Sequence, residues 1–265
     1  MSALDFASLL QAEKRKARAA RSPSTPAVAP APAQTQQSPD ANTAALESDR
    51  PRPALKVLPG APPTIAYAAE WISEEEEASI IAAAKSGEDW VDVRGRRLRR
   101  LGGPAGEVGF VPEPLPRWAR DACAAAATSD PANTRPVPNH VLVNAYDFSK
   151  ASYVLPHTDG PAYDDRTFTL SCGADAVVVF RERLKTSEVG VRVAAARCEV
   201  LLRRRSLLAF SRVAYAECTH EIGSAPDVVG AICANLDAAN CRVGDVVGRA
   251  GERVSFTLRY ACGGE

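Results

Sequence analysis

The chain has 265 residues, of which 46% are hydrophobic, enough for a folded domain of about 200 residues with a buried core. Lysine plus arginine and aspartate plus glutamate number 32 each, so net charge does not by itself indicate a nucleic-acid partner. Seven scattered cysteines without a CxxC pair argue against a disulfide framework or a zinc ribbon, and no apolar run is long enough to span a bilayer. We therefore expect a nuclear and/or cytoplasmic protein that does not enter a membrane.

The N-terminal part of the chain predicts a tail. Residues 1–21 are typical of a short helix with a basic continuation, which fits a nuclear address, a docking peptide or simply a solvated helix. Residues 22–63 are rich in proline and poor in apolar side chains, which is typical of a disordered linker. The predicted organisation is a disordered tail over 1–63 and a folded domain over 64–265.

The folded domain is expected to begin with a strand at Thr64 to Ala68. Ser73 and Glu76 then fit a capping box, which predicts a helix that runs to about Lys85. A second amphipathic helix is predicted over residues 115–127.

Between the two helices lies an arginine-rich segment, residues 94–100, with the sequence RGRRLRR. Arginine donates paired hydrogen bonds to phosphate, so the segment fits a phosphate-contacting lid or hairpin. A solvated edge strand blunted by charge is the alternative. The candidate nucleic-acid contacts are Arg94, Arg96, Arg97, Arg99 and Arg100.

From Pro138 onward the pattern becomes mostly β. Short apolar runs separated by Gly, Pro and Asp predict a series of strands without interleaved helices, which indicates a sandwich or jelly roll. Residues 222–252 read as a long insertion before the last strand. The predicted strands cover residues 140–146, 167–171, 176–181, 199–202, 206–211, 214–221 and 253–261.

Three residues have the composition of a metal site. His157 and Asp159 are two positions apart, so on a strand they would point to the same side. His220 follows 61 residues after Asp159 and must be brought close by folding. Two imidazoles and one carboxylate can bind one face of an iron(II) ion and leave positions open for an oxidant and a substrate.

The last predicted strand carries a candidate dicarboxylate site. Arg253, Ser255 and Arg259 share one face, while the apolar residues between them share the other. Arginine is a natural partner for carboxylate, although a solvated strand face would show the same pattern. Asn144 and Tyr146 also share a strand face and offer an amide and a phenol to a small acid.

The ordered set N-x-Y, H-x-D-G-P, a distal histidine and R-x5-R resembles the AlkB family of iron(II)- and 2-oxoglutarate-dependent dioxygenases, and most closely its sixth eukaryotic subfamily. The resemblance spans about residues 60–261. The supporting stretches are Ala61 to Ile65, Trp71 to Glu77, Pro138 to Tyr146, Pro156 to Pro161, Arg205 to Leu208 and Arg253 to Arg259.

The resemblance implies a mainly β fold with flanking helices, the double-stranded β-helix or jelly roll. It implies Fe(2+), 2-oxoglutarate and O2 as cofactors. It also implies His157, Asp159 and His220 as iron ligands. The residues implied to hold 2-oxoglutarate are Asn144, Tyr146, Arg253, Ser255 and Arg259.

The family usually has a Pro-Gly turn between the positions of Tyr146 and His157, whereas this chain reads Asp-Phe-Ser-Lys-Ala over 147–151. The implied activity is oxidative demethylation of N-alkylated RNA or DNA. Separately, we expect the protein to be a monomer. Substrate specificity is expected to lie in a lid around residues 90–118 and in the 222–252 insertion. A protein hydroxylase or demethylase on the same fold, and a non-catalytic nucleic-acid reader that retains the metal site, remain alternatives.

Overall fold

A computed structural model describes residues 46–47, 50–93, 95–106, 109–150, 152–183, 195–224, 227–248 and 251–262. The helix predicted over residues 1–21 and the first part of the linker predicted over 22–63, up to residue 45, lie outside these ranges, as does Arg94. None of the helices in the described parts of the chain has the length and apolar character needed to cross a bilayer.

Strands dominate the described residues, and three helices accompany them. The helices are α1 (Glu74–Lys85), α2 (Arg117–Thr128) and the short α3 (Arg212–Ala216), and a 3-10 turn spans Phe148–Lys150. The strands in chain order are β1 (Lys56–Val57), β2 (Ile65–Ala68), β3 (Val91–Val93), β4 (Arg96–Leu101), β5 (Ala105–Gly106), β6 (Gly109–Phe110), β7 (His140–Asp147), β8 (Val154–His157), β9 (Tyr163–Gly173), β10 (Ala176–Glu182), β11 (Ala196–Leu202), β12 (Ser206–Ser211), β13 (Cys218–Ile222), β14 (Asp227–Val228), β15 (Val246–Val247) and β16 (Glu252–Ala261).

Two antiparallel sheets form the frame of the molecule. The large sheet has the order β1-β2-β12-β9-β16-β7-β4-β3, and the small sheet has the order β11-β10-β13-β8. Two facing antiparallel sheets with these crossovers form the jelly roll that the sequence predicts. The last strand, β16, lies between β9 and β7, so it is a central strand and not an edge strand.

Successive side chains of each strand point to opposite faces of the sheet, so each strand contributes to two cores. On one face of the large sheet, Val254, Phe256 and Leu258 of β16 pack with buried residues of α1 and α2. On the other face, the large sheet meets the small sheet, where Phe180 of β10 and Phe210 of β12 pack edge to face at 5.4 Å between ring centroids. The second face of β16 therefore looks into the space between the sheets.

Helix α1 begins as the capping box predicts. The Ser73 hydroxyl accepts a hydrogen bond from the Glu76 backbone N–H at 3.1 Å, and the Glu76 carboxylate accepts one from the Ser73 N–H at 2.9 Å. Glu76 also accepts hydrogen bonds from the guanidiniums of Arg50 and Arg52. Burial alone would raise the pKa of Glu76, but these hydrogen bonds lower it to about 2.

The predicted domain boundary at residues 63/64 is wrong for the described part of the tail. Leu55 and Leu58 are buried, and β1 pairs with β2. Arg52 is held by Glu76 of α1. The domain therefore includes residues well before Thr64. Composition does not reveal this, because the apolar and charged residues that anchor the segment are widely spaced among prolines.

One predicted strand is wrong in its first half. The run from Ala214 to Glu221 was expected to be a strand, but α3 occupies Arg212–Ala216 and β13 starts at Cys218. Ala214 is buried there, and its N–H is bonded to the Thr64 hydroxyl at 3.2 Å. Tertiary contacts thus select a helical turn in a segment too short for its periodicity to decide between helix and strand.

The insertion before β16 packs on the outside of the small sheet. Val229, Cys233 and Val247 form a separate apolar cluster with Val177 and Leu201, whose side chains point away from the space between the sheets. The Asn235 amide bonds both the N–H and the C=O of Leu201, each at 2.9 Å. Glu199 exchanges further backbone bonds with residues 232 and 234. Most apolar contacts of the described insertion are therefore on the outer face of the small sheet, while Ile222 and Ala234 contact the core between the sheets.

Candidate active site

The three predicted metal ligands lie together between the two sheets. His157 ends β8 and His220 is its partner in the neighbouring strand β13, with 4.3 Å between ring centroids. Asp159 follows β8 in a loop. The spacing of His157 and Asp159 predicts that both lie on one strand, and for Asp159 this is wrong. One ligand atom from each residue lies within 4.8 Å of the other two, and no other such group occurs in the described ranges.

Neighbouring groups fix the orientation of these side chains. The His157 Nδ1 lies 2.9 Å from the Leu155 carbonyl oxygen, to which it donates, so Nε2 is left free to bind a metal. The Thr167 hydroxyl donates to Asp159 Oδ2 at 2.8 Å. Arg259 Nη1 donates to Asp159 Oδ1 at 3.1 Å. The carboxylate is therefore held from both sides.

The protonation states suit metal binding. Burial lowers the pKa of His220 to about 3, and it also lowers the pKa of His157, so both imidazoles are neutral at neutral pH. Burial acts to raise the pKa of Asp159, but Arg259 and the two histidines lower it to about 2. Two neutral imidazoles and one ionised carboxylate are the donor set that iron(II) accepts on one face.

The inward face of β16 brings the predicted dicarboxylate residues together. Arg253 is the cross-strand partner of Tyr146, and Ser255 is that of Asn144. The Arg253 guanidinium carbon lies 5.1 Å from the centre of the Tyr146 ring. Arg259 is at the other end of the row, beside Asp159. Arg253, Ser255, Arg259, Asn144 and Tyr146 are all buried, so this is not the solvated strand face considered as the alternative.

Buried arginine atoms without partners support a bound acid. Arg253 is fully buried, and its Nη2 donates to the Ser171 hydroxyl at 3.0 Å. Its Nε and Nη1 have no hydrogen-bond partner among the described residues, and neither has the Nε of Arg259. Buried polar groups are almost always paired in folded proteins, and unpaired guanidinium N–H groups match the oxygens of a carboxylate. The residues therefore fit both a divalent iron ion and a dicarboxylate.

The arginine-rich segment is divided between the two faces of β4. Arg96 and Arg100 are on the face of Tyr146 and the metal cluster, as their pairing with β7 shows. Arg97 and Arg99 are on the helix-facing side, where Arg97 lies 4.9 Å above the Trp90 ring and Arg99 bonds Asp89. Strand β4 lies between β3 and β7, so the edge-strand alternative is wrong. Arg96 is buried, which argues against its prediction as a surface phosphate contact.

His140 has a place beside the site that its sequence context did not reveal. It is the cross-strand partner of Arg259, and its ring lies 5.3 Å from the Tyr163 ring. Neither ring nitrogen has a hydrogen bond of standard geometry among the described residues. Burial lowers the pKa of His140 to about 3, so it stays neutral.

Sequence reasoning missed three hydroxyl residues that support the site. Thr167 holds Asp159 and Ser171 holds Arg253. The Ser152 hydroxyl contacts the backbone carbonyl oxygens of Gly95 and Asp147, which ties the loop before β8 to the start of β4. The run Thr-Phe-Thr-Leu-Ser over 167–171 places small hydroxyls on one strand face, as β16 does, and this repeat was the available signal.

Comparison with curated proteins finds a relative that aligns with most of the chain. The chain is 29% identical over 210 residues to a Danio rerio protein described as "Probable RNA/DNA demethylase ALKBH6", covering 77% of this chain and 88% of the relative. No protein-family model matches the chain.

Two solved structures also align with most of the chain. OsALKBH1 aligns over 78% of this chain and 99% of its own, at 17% identity and a TM-score of 0.45. An oxidoreductase of the 2OG-Fe(II) oxygenase family from Burkholderia pseudomallei aligns over 75% and 84%, at 16% identity and a TM-score of 0.43. The chain is therefore similar, over most of its length, to a protein named as an AlkB homologue, and it has a two-histidine, one-carboxylate cluster between its sheets that could hold an iron(II) ion.

Proposed function

We propose that this protein removes methyl groups oxidatively from N-alkylated bases of RNA or DNA. The observation that carries the proposal is the cluster of His157, Asp159 and His220 facing the buried, unpaired arginine atoms of β16. The description of the Danio rerio relative as a probable RNA/DNA demethylase supports the choice of substrate class.

In this proposal each side chain has a defined role. His157, Asp159 and His220 bind the iron, and their neutral and ionised forms need no proton release at neutral pH. Arg253 and Tyr146 bind the carboxylate of 2-oxoglutarate that is remote from the metal. Asn144, Ser255 and Arg259 hold the rest of the cosubstrate, because they occupy the same inward face between Arg253 and Asp159.

The cofactors supply the oxidising chemistry and the protein supplies orientation. When bound, iron(II) with 2-oxoglutarate and O2 hydroxylates the N-methyl group, and 2-oxoglutarate becomes succinate and CO2. The hydroxymethyl group then leaves as formaldehyde, and the base nitrogen keeps a proton in its place. A base within a duplex must be flipped or already single-stranded to reach a metal held between two sheets.

The deciding experiment is mass spectrometry of a panel of methylated oligonucleotides and methylated peptides, incubated aerobically with the full chain, Fe(II) and 2-oxoglutarate. The proposal predicts loss of 14 mass units, one CH2, from a methylated base, roughly one succinate formed for each methyl group lost, and no change in the peptides. Loss of methyl groups or gain of oxygen in the peptides alone would overturn the substrate class.

Ligand variants serve as controls for the site. His157→Ala and Asp159→Ala are expected to abolish succinate formation, while far-UV circular dichroism stays that of the wild-type protein, because both residues lie at or beyond the end of β8 and outside the apolar cores. Normal succinate formation by either variant contradicts the ligand assignment.

A further inference from the structure

A third buried arginine, Arg96, shares the inward face with Arg253. Arg96 on β4 is the cross-strand partner of Tyr146 on β7, and Tyr146 is in turn the partner of Arg253 on β16. The three side chains therefore form a row across three adjacent strands. The Cα atoms at its ends are about 10 Å apart, two inter-strand spacings, so both guanidiniums can reach a group above the Tyr146 ring.

Arg96 has no acidic partner within the described parts of the chain. Only 9% of its surface is exposed, and its Nε makes no hydrogen bond. The neighbouring arginines of β4 differ, since Arg97 lies over the Trp90 ring and Arg99 bonds both Asp89 and the Ala84 carbonyl oxygen. Their contacts explain why these two arginines are present, whereas no ion pair or hydrogen bond among the described residues explains Arg96.

An unpaired buried guanidinium is costly, because arginine stays charged at any physiological pH. Arg253 is fully buried on the same face, with two of its three nitrogens unpaired. Two such cations around one tyrosine repel each other unless an anion lies between them. The arrangement is therefore built for a negatively charged group at this position.

The backbone around Arg96 is also held in place. Ser152 is fully buried, and its hydroxyl contacts the carbonyl oxygens of Gly95 and Asp147. This contact joins the turn that precedes Arg96 to the loop that leads into the metal strand β8. The position of Arg96 relative to His157 is thus fixed through a short stretch of chain.

We infer that Arg96 is a third arginine of the 2-oxoglutarate pocket, and that with Arg253 it binds the carboxylate remote from the metal. The inference rests on the proposed cosubstrate function of the site. It assigns Arg96 to the cosubstrate and not to the nucleic-acid backbone, because the side chain is buried beside Tyr146 and its exposed neighbour Arg97 points to the opposite face.

Anaerobic binding tests this assignment without relying on turnover. The full chain is loaded with Mn(II), and 2-oxoglutarate and succinate are titrated by calorimetry into the wild type and three variants. Arg96→Met and Arg253→Met each lose charge-assisted hydrogen bonds, so binding is expected to weaken at least about tenfold. Arg97→Met is the matched control on the same strand, with binding within about twofold of the wild type. Arg96→Lys keeps the charge but not the planar fork, and is expected to recover part of the loss.

The outcomes separate the inference from the proposed function. Wild-type affinity in Arg96→Met together with weakened binding in Arg253→Met overturns the role of Arg96 and leaves the proposed function standing. If Arg96→Met binds 2-oxoglutarate normally but binds a methylated oligonucleotide more weakly, Arg96 is a phosphate contact and the inference is wrong. No detectable 2-oxoglutarate binding by the wild type defeats the proposed function itself. Should Arg96→Met fail to fold, as judged by circular dichroism, the polar variant Arg96→Gln takes its place, and wild-type affinity in folded Arg96→Gln overturns the inference.

Discussion

Thr167 and Arg259 donate hydrogen bonds to the two different oxygens of the Asp159 carboxylate. The bond from the Thr167 hydroxyl is 2.8 Å long and the bond from the Arg259 guanidinium is 3.1 Å long. The hydroxyl comes from β9 and the guanidinium from β16, two adjacent strands of the large sheet. The metal cluster, whose histidines lie on the small sheet, is therefore oriented by the large sheet across the space between them.

This relationship predicts that Thr167→Val weakens metal binding. Valine matches the shape of threonine but cannot donate to Asp159, and loss of such a supporting hydrogen bond typically costs 10–100-fold in metal affinity. Titration of the metal-free protein with Mn(II) or Co(II) measures the change. Thr169→Val, two residues along the same face, is the control and is expected to bind like the wild type; equal affinities for both variants would show that the hydroxyl has no part in holding Asp159.

The two arginines on the outer side of β4 are expected to behave differently from each other. Arg97 is exposed, so Arg97→Glu should weaken oligonucleotide binding and reduce the slope of log K against log salt by about one unit or more. Arg99 bonds Asp89 and the Ala84 carbonyl oxygen, so Arg99→Glu should lower stability. Fluorescence anisotropy at several salt concentrations tests the first statement, and thermal unfolding tests the second. An unchanged slope for Arg97→Glu removes it from the interface.

Glu76 is expected to be a major source of stability at the N-terminal edge of the domain. Its side chain is 2% exposed and pairs with Arg52, which is 8% exposed. Glu76→Gln leaves this arginine without a charge partner, and breaking a buried pair in this way costs about 3–5 kcal/mol. Urea unfolding measures the loss. Glu75→Gln changes an exposed neighbour in the same helical turn and is expected to leave the unfolding midpoint close to that of the wild type; similar midpoints for the two variants would contradict the prediction.

His140 is expected to make the protein less stable in mild acid. Its pKa is about 3 in the folded state and about 6.5 in the unfolded chain, so only the unfolded chain takes up a proton between these values. The free energy of unfolding therefore falls as pH drops from about 6.5 towards 3, by up to about 1.4 kcal/mol per unit from this group. Above pH 6.5 this loss is absent.

The His140→Phe variant isolates that contribution. Phenylalanine keeps the ring packing against Tyr163 and cannot take up a proton, so the variant should unfold with a shallower pH dependence than the wild type. Urea unfolding of the metal-free protein at intervals between pH 7 and pH 4 supplies the comparison. Tyr163→Phe alters the adjacent ring without removing a histidine and should keep the wild-type dependence. If His140→Phe does so too, His140 is not the source.

Local chemistry was sufficient to predict the start of α1 and the two faces of β16. Ser73 and Glu76 satisfy each other within one turn, and the alternation from Arg253 to Arg259 needs no partner strand to be read. The proximity of the three candidate metal ligands was predictable for a different reason. The chain has only three histidines, so the position of His220 beside His157 required no knowledge of the strand order.

The remaining features depend on register and on contacts between distant residues. Whether Arg96 or Arg97 faces the site is decided by the pairing of β4 with β7, and a shift of one residue would exchange them. The segment around Leu55 joins the domain through an apolar contact and ionic anchors that are weak signals in a proline-rich sequence. Asp159 reaches the metal cluster from a loop, and its position depends on Thr167 and Arg259.

The two hydrogen bonds between the Asn235 amide and the Leu201 backbone also bear on the exposed edge of the small sheet. Strand β11 is an edge strand of the small sheet. The outward N–H and C=O groups of an edge strand can pair with a strand of another chain. The insertion supplies hydrogen-bond partners for the backbone groups of Leu201 and Glu199, both of which lie on this edge strand. At these two residues the outer edge of β11 therefore has its backbone hydrogen bonds made within the molecule.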